Sequence, residues 1–269
     1  MGDDRMTDRP LAPLRIAVAQ FDAVGGDMAH NMDWHLRLLG RAAGAGSALV
    51  VYPELSVSGY CSGLLDDDAM AQAVDPAGDD LAPLRRACAE AGIAAIVGAP
   101  VLEAGRLHLS AIYIDAAGEV ADVYHKMYLD PSERGWFEAG DTPTVVTLAG
   151  WNLGIGICYD SSFPEHARQY ALSGAEVYVL PGAFPLGRSD FRRTIYFPAR
   201  ALENTVYLAF SNYVGEHAGT AYGGMSAIYG PDGSCLADAG AEAGIAVHDL
   251  DHRQLLETRE NLQMLKDCV

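Results

Sequence analysis

Apolar residues fall in short runs bounded by polar turns, and the period of the runs changes along the chain. "LRIAVAQFDA" (14–23) is almost continuously apolar, the pattern of a buried strand. Met28, Met32, Leu36 and Leu39 then recur at helical spacing in "DMAHNMDWHLRLLGRAAGAG", with Asp27 placed as N-cap and Gly44 as stop. "SALVVYPEL" reads as a strand ending in a carboxylate, "LAPLRRACAEAG" as a helix and "IAAIVGAPV" as a further strand. "LHLSAIYID" and "EVADVYHKMYL" read as strands separated by the turn "AAGE". The second half repeats the style with strand 151–157, helix 164–173, strand "AEVYVLPG", helix 190–204 and strand "VYLAFSNY". A hairpin across "GPDG", the strand "GIAVHDL" and a closing helix complete it. Strands alternate with helices and finish in an antiparallel run, which predicts a layered α/β fold with a mixed sheet or a pair of sheets.

The chain has 269 residues and no linker-like composition after its start, so residues 14–269 read as one domain behind a disordered tail, 1–13. The acidic start "MGDDRMTDRPLAP" lacks the basic and apolar regions of a secretory signal, and no apolar run is long enough for a membrane span. The net charge is −18, a surface that repels phosphate backbones and anionic lipids and argues against nucleic-acid and membrane partners. The acids are dispersed apart from "DDD" at 66–68, which reads as a solvated loop. Five cysteines (61, 88, 158, 235, 268) are an odd number without paired spacing, which argues against a disulfide framework or a zinc site and fits a reducing cytoplasm. No glycine-rich nucleotide loop follows the first strand, so no nucleotide cofactor is indicated, and no metal is.

Three polar residues close apolar runs. Glu54 ends "VVYPEL", Lys126 ends "VADVYHK" and Cys158 ends "LGIGIC". Ligands in open α/β sheets bind outside the carboxyl ends of strands, so the three can converge on one pocket. Their chemistry is complementary. A thiol is mostly protonated at neutral pH and needs a base or a neighbouring cation to act as a nucleophile. Glu54 supplies a base, while Lys126 and the backbone N–H of Tyr159 supply stabilisation for an oxyanion. Cys61, Cys88, Cys235, Cys268, His125 and His166 have no task in such a scheme and read as structural.

At these residues the chain resembles the nitrilase or carbon–nitrogen hydrolase superfamily. "YPELSVSGY", "YHKMYL" and "GICYDSSFPEHARQYALSGAEVYVLP" are similar to its glutamate, lysine and nucleophile motifs. "IAVAQFDAVGGDMAHN", "ARALENTVYLAFSNYVG" and "GGMSAIYGPDGS" extend the likeness over about residues 14–250. The resemblance implies a four-layer αββα sandwich, a homodimer or higher oligomer joined through helices 164–173 and 190–204, and hydrolysis without cofactor. It also implies a second glutamate. "SERGWFEAGD" is similar to the segment that carries it, which gives the role to Glu133 rather than Glu138.

The same resemblance implies a substrate that is a small primary amide, with Cys158, Glu54, Lys126 and Glu133 as catalytic residues. Cys-Tyr-Asp at the nucleophile is like the aliphatic-amide branches, especially bacterial amidases of ω-amino or amino-acid amides. Carbamoyl-amine hydrolase, nitrilase and a silent binding module are the alternatives. Related enzymes that take dicarboxylate monoamides often carry an arginine soon after Cys-Tyr-Asp; Ser161 and Ser162 stand here, which points to neutral or cationic substrates. Tyr60, Trp136, Phe163 and Phe184 are the expected pocket walls.

Overall fold

The computed structural model describes residues 10–60, 69–187, 189–217 and 219–268, so Cys61, the acidic stretch 66–68 and residues 1–9 of the expected tail lie outside the described residues. Two six-stranded sheets form the centre. The first has the order β14-β1-β2-β3-β4-β5 and the second β13-β12-β9-β8-β7-β6. In the first sheet β1 (Leu14–Gln20), β2 (Leu49–Val51) and β3 (Ala94–Glu103) are parallel, and β4 (Arg106–Ile114) reverses direction. β5 (Val120–His125) reverses again, so it leaves the sheet at the same end as β2. In the second, β7 (Trp151–Ile155), β8 (Val177–Pro181) and β9 (Tyr207–Ser211) are parallel. Antiparallel strands flank them: β6 (Val145–Leu148) on one side, β12 (Ala227–Tyr229) and β13 (Cys235–Asp238) on the other. β14 (Gly244–Leu250) crosses back to pair with β1.

Both faces of each sheet are covered, which explains why the strands read as continuous apolar runs. Ile16, Val18, Val51 and Ile96 face the second sheet, where they meet Ile155, Val177, Val179 and Tyr207. The alternate residues Ala17, Ala19, Val50 and Val97 face the other way, against α1 (Met28–Gly44) and α2 (Ala82–Ala91). α3 (Pro164–Leu172) and α4 (Phe197–Asn204) cover the outer face of the second sheet through Tyr170, Phe197 and Ala201. The result is the expected αββα layering. α5 (His252–Asn261) closes the chain, with Leu255 buried in the inter-sheet core.

Several boundaries differ from the sequence reading. β2 stops at Val51, because 52–59 form a buried turn whose apolar residues pack without strand pairing. β5 stops at His125 and does not reach Leu129. β6 is too short to show a period, and the ribbon β10 (Val214–His217) and β11 (Thr220–Gly223) is short and contains glycine. Helix 190–204 is present, but residues Arg192–Tyr196 form a π turn. Pro198 has no N–H to donate and its ring crowds the carbonyl one turn back, which accounts for the widening. The end of the expected tail is docked, since Trp151 Nε1 donates to the Ala12 carbonyl at 3.0 Å.

The 53–59 turn sits against β3 with no spare room at Gly98. A Cβ there would lie 2.7 Å from the Pro53 carbonyl oxygen and 2.8 Å from the Glu54 carbonyl carbon, both rigid backbone. Gly98→Ala is therefore expected to destabilise the fold by about 1–3 kcal/mol and to displace Glu54. A thermal melt with an ammonia-release assay checks it, and a variant that melts and turns over like wild type would refute this packing.

Candidate active site

Glu54 lies in the buried turn beyond β2, fully excluded from solvent. Its N–H donates to the Gly182 carbonyl of the other sheet at 3.3 Å, and its carbonyl accepts from Tyr213 Oη at 2.5 Å. Leu55 behind it takes a left-handed backbone, φ +51°, which closes the turn. Lys126 is the first residue past β5 and is also fully buried. Its N–H donates to the Leu109 carbonyl at 2.8 Å and its own carbonyl accepts from Gly140 N at 2.9 Å, so the backbone is held on both sides.

The lysine ammonium is clamped between two carboxylates. Nζ donates to Glu54 Oε1 at 2.6 Å and to Glu133 Oε1 at 2.8 Å. Glu133 is oriented in turn, accepting from Asp130 N at Oε2 (2.8 Å) and from Tyr60 Oη at Oε1 (3.1 Å). Glu138 is exposed, 3.9 Å from Arg106, and does not take part. Cys158 opens a 3₁₀ turn, Cys158–Ser162, just beyond β7, with a strained φ of +45°. A cavity of about 450 Å³ is lined by Cys158, Tyr159, Glu133, Tyr60 and Phe184, which places five predicted residues on one wall.

The charges are unbalanced, with one ammonium facing two carboxylates. Burial opposes the charge on Lys126, but Glu54 and Glu133 outweigh it and hold the ammonium well above the ordinary lysine range. Burial raises Glu54 to about 7, assisted by Glu133, while Lys126 and the Cys158 thiol pull the other way. Burial and the Glu54 charge push the Cys158 thiol well above its usual value, so the resting group is the thiol. Glu54 Oε2 is buried and makes no full hydrogen bond, leaving it as the open acceptor beside that thiol.

Two expected walls are elsewhere. Trp136 is 38% exposed and does not line this cavity. Phe163 stacks on Tyr128, ring centroids 3.9 Å apart, and lines a neighbouring hollow. Three contributors escaped the sequence reading. Tyr222 reaches the wall from the unpredicted β11. Arg192 reaches it from the π turn: its Nη1 donates to Ser162 Oγ at 2.6 Å and its guanidinium lies 4.9 Å from the Phe184 ring centroid. A guanidinium thus reaches this wall although Ser161 and Ser162 stand soon after Cys158. The third is Asp160, whose fully buried carboxylate accepts from Tyr124 Oη (2.7 Å), Tyr128 N (2.8 Å) and Ile157 N (2.8 Å). His166, read as structural, completes that network through Tyr124 and Tyr178.

The carbon-nitrogen hydrolase family model matches residues 15–260. The chain belongs to the carbon–nitrogen hydrolase family. A Pseudomonas protegens protein described as a hydrolase in the pqqF 5′ region is 36% identical over 94% of this chain and 88% of its own length. An (R)-stereoselective amidase of a Pseudomonas species is 32% identical over 94% and 91%. An amidase from Nesterenkonia sp. AN1, in a mutant form whose active-site cysteine carries the acetamide moiety of fluoroacetamide, superposes with a TM-score of 0.80 at 30% identity, covering 95% of this chain and 97% of that one. The reaction class of the present chain is amide hydrolysis through a cysteine-bound intermediate.

Asp160 ties the exit of β5 to the turn bearing Cys158. Asp160→Asn replaces one acceptor oxygen by a donor facing N–H and O–H donors, so a buried donor loses its partner. The expected result is a fall in kcat of roughly tenfold or more with KM little changed and the circular dichroism spectrum retained. Unaltered kcat would remove Asp160 from the positioning of the site.

Proposed function

We propose that this chain hydrolyses a small primary amide to a carboxylate and ammonia, with Cys158 as nucleophile and Glu54, Lys126 and Glu133 as its catalytic partners. The observation that carries the proposal is the buried Lys126 joined to both Glu54 and Glu133 beside a cavity floored by Cys158. Glu54 takes the thiol proton as sulfur attacks the amide carbon, and the oxyanion settles against the Lys126 ammonium and the Tyr159 N–H. Glu54 returns the proton to the leaving nitrogen, ammonia departs and a thioester remains. Water, deprotonated by Glu54, then releases the acid and restores the thiol. Glu133 keeps the lysine charged and in place.

The acyl tail faces a wall that carries the Arg192 guanidinium. Arg192 favours tails ending in a carboxylate or carbonyl oxygen, the shape of a dicarboxylate monoamide. Arg192→Gln is expected to raise KM for succinamate by roughly 10–100-fold, the loss of one charge-assisted contact, while leaving KM for butyramide nearly unchanged. Equal effects on both amides would reduce Arg192 to a structural part of the wall.

The working unit is read as a homodimer, supported by exposed Leu172, Ile195 and Leu202 along α3 and the helical segment 190–204. The cytoplasm is its proposed location, supported by the free thiols Cys88, Cys158, Cys235 and Cys268. Among the described residues no helix is long and apolar enough to cross a membrane.

The deciding experiment measures ammonia release from amides, nitriles and carbamoyl amines by wild type and Cys158→Ala. Release from amides alone, abolished in the variant, is the expected result; release only from nitriles or carbamoyl amines would reassign the substrate. A pH profile tests the base. Glu54 acts only when deprotonated and titrates at about 7 because of burial, so kcat/KM is expected to climb as pH rises through about 7 and then level off. A flat profile through neutrality would exclude Glu54 as the base.

A further inference from the structure

We propose that Glu103, His108 and His125 form a zinc-binding site on the outer face of the first sheet. Strand register brings the three together. Val101 pairs with His108 and Glu103 with Arg106 across the β3–β4 hairpin, while Ser110 pairs with His125 across β4–β5. Side chains alternate along a strand, so Glu103, His108, Ser110 and His125 share one face. On β4 that face is the one opposite Leu107, Leu109 and Ala111, which fill the inter-sheet core. The helical layer gives way there to a cavity of about 520 Å³.

One ligand atom from each of Glu103, His108 and His125 lies within 4.8 Å of the other two. The two imidazoles stack with centroids 4.2 Å apart. The hydrogen bonds fix the tautomer of His108. His108 Nδ1 meets the Glu138 carbonyl at 2.9 Å, and a carbonyl only accepts, so the neutral ring carries its lone pair at Nε2. In the tautomer that can bind a metal, His125 Nδ1–H donates to Ser110 Oγ at 2.7 Å and Nε2 carries the lone pair; in the other, Ser110 Oγ donates to Nδ1 and Nε2–H donates to Glu103. His125 Nε2 faces Glu103 Oε2 at 3.2 Å.

Two imidazoles and a carboxylate are a donor set that zinc accepts, each histidine being tethered through its other nitrogen as metal ligands usually are. Zinc bonds of about 2.0–2.2 Å require the three donors to close by about an ångström. Glu103, with a side chain 69% exposed, is free to move, and the cavity leaves room for water as a fourth ligand. Asp122 and Asp141 on the cavity wall add to the attraction for a cation. The ion would join β3, β4 and β5 where the chain enters the 126–140 segment, since Glu138 holds His108 and Gly140 holds the Lys126 carbonyl.

The test uses the full chain carrying Cys158→Ala, so that the reactive thiol does not compete for the ion. After dialysis against a chelator, titration calorimetry with zinc chloride is expected to give one ion per chain and a higher melting temperature. His108→Gln and the exposed Glu103→Gln should each weaken binding by roughly tenfold or more. Cobalt in place of zinc should give absorption without a thiolate charge-transfer band. Absence of binding in the parent chain, unchanged affinity in either variant, or a thiolate band with cobalt would overturn the proposal.

Discussion

A lysine ammonium stripped of water between two carboxylates is the interaction on which this structure turns. Moving each of these ions out of water costs several kcal/mol, and their attraction offsets that only when the geometry is held closely. Much of the local architecture serves that requirement. The backbone of Lys126 is fixed on both sides, Glu133 is anchored by Asp130 and Tyr60, and Glu54 is bonded through both its N–H and its carbonyl. Burial, assisted by the second carboxylate, lifts Glu54 to about 7, and burial with the Glu54 charge suppresses the thiolate. The Cys158 thiol is therefore held protonated beside a carboxylate able to receive its proton. An imidazole-paired thiolate would be ionised in advance; in the proposed mechanism ionisation is coupled to attack.

Since Glu54 and Lys126 hang from one sheet and Cys158 from the other, the site exists only while the two sheets keep their relative position. Direct hydrogen bonds across the layers maintain it: Glu54 N to the Gly182 carbonyl, Tyr213 Oη to the Glu54 carbonyl, and Ser211 Oγ to the Ala19 carbonyl. Asp160 adds a brace between the strand exits themselves, because its acceptors bind β5-side and β7-side donors together. The left-handed backbones at Leu55 and Cys158 are tolerable only inside such a frame.

The layering and the three strand-end residues were readable because burial on both faces writes continuous apolar runs, and a charged or nucleophilic residue at the end of such a run stands out. The same burial concealed where strands stop. Tyr52, Leu55 and Val57 are as apolar and as buried as the strand before them, yet they belong to a turn whose backbone bonds run elsewhere. β6 had no such signal, because Val145 is exposed and Val146 is the only fully apolar, buried position of its four. Trp136 looked like a wall because aromatic residues usually are, but it follows Glu133 in a turn whose inward position Phe137 already fills.

Arg192 shows the deeper limit. The helix that bears it was legible; its direction was not, because a π turn beside Pro198 resets which face each preceding residue presents. The guanidinium then occupies the place that Ser162 leaves open, bonded to that serine and close to the rings of Phe184, Phe191 and Tyr196. Weakly hydrated and planar, an arginine tolerates this aromatic setting better than a lysine would. A positive charge near the acyl tail is thus a property of the assembled wall, reached by a residue thirty-odd positions beyond the nucleophile. The catalytic residues, fixed by the chemistry of one proton and one oxyanion, have little freedom to migrate. Substrate choice has far more, because any element that reaches the wall can supply it.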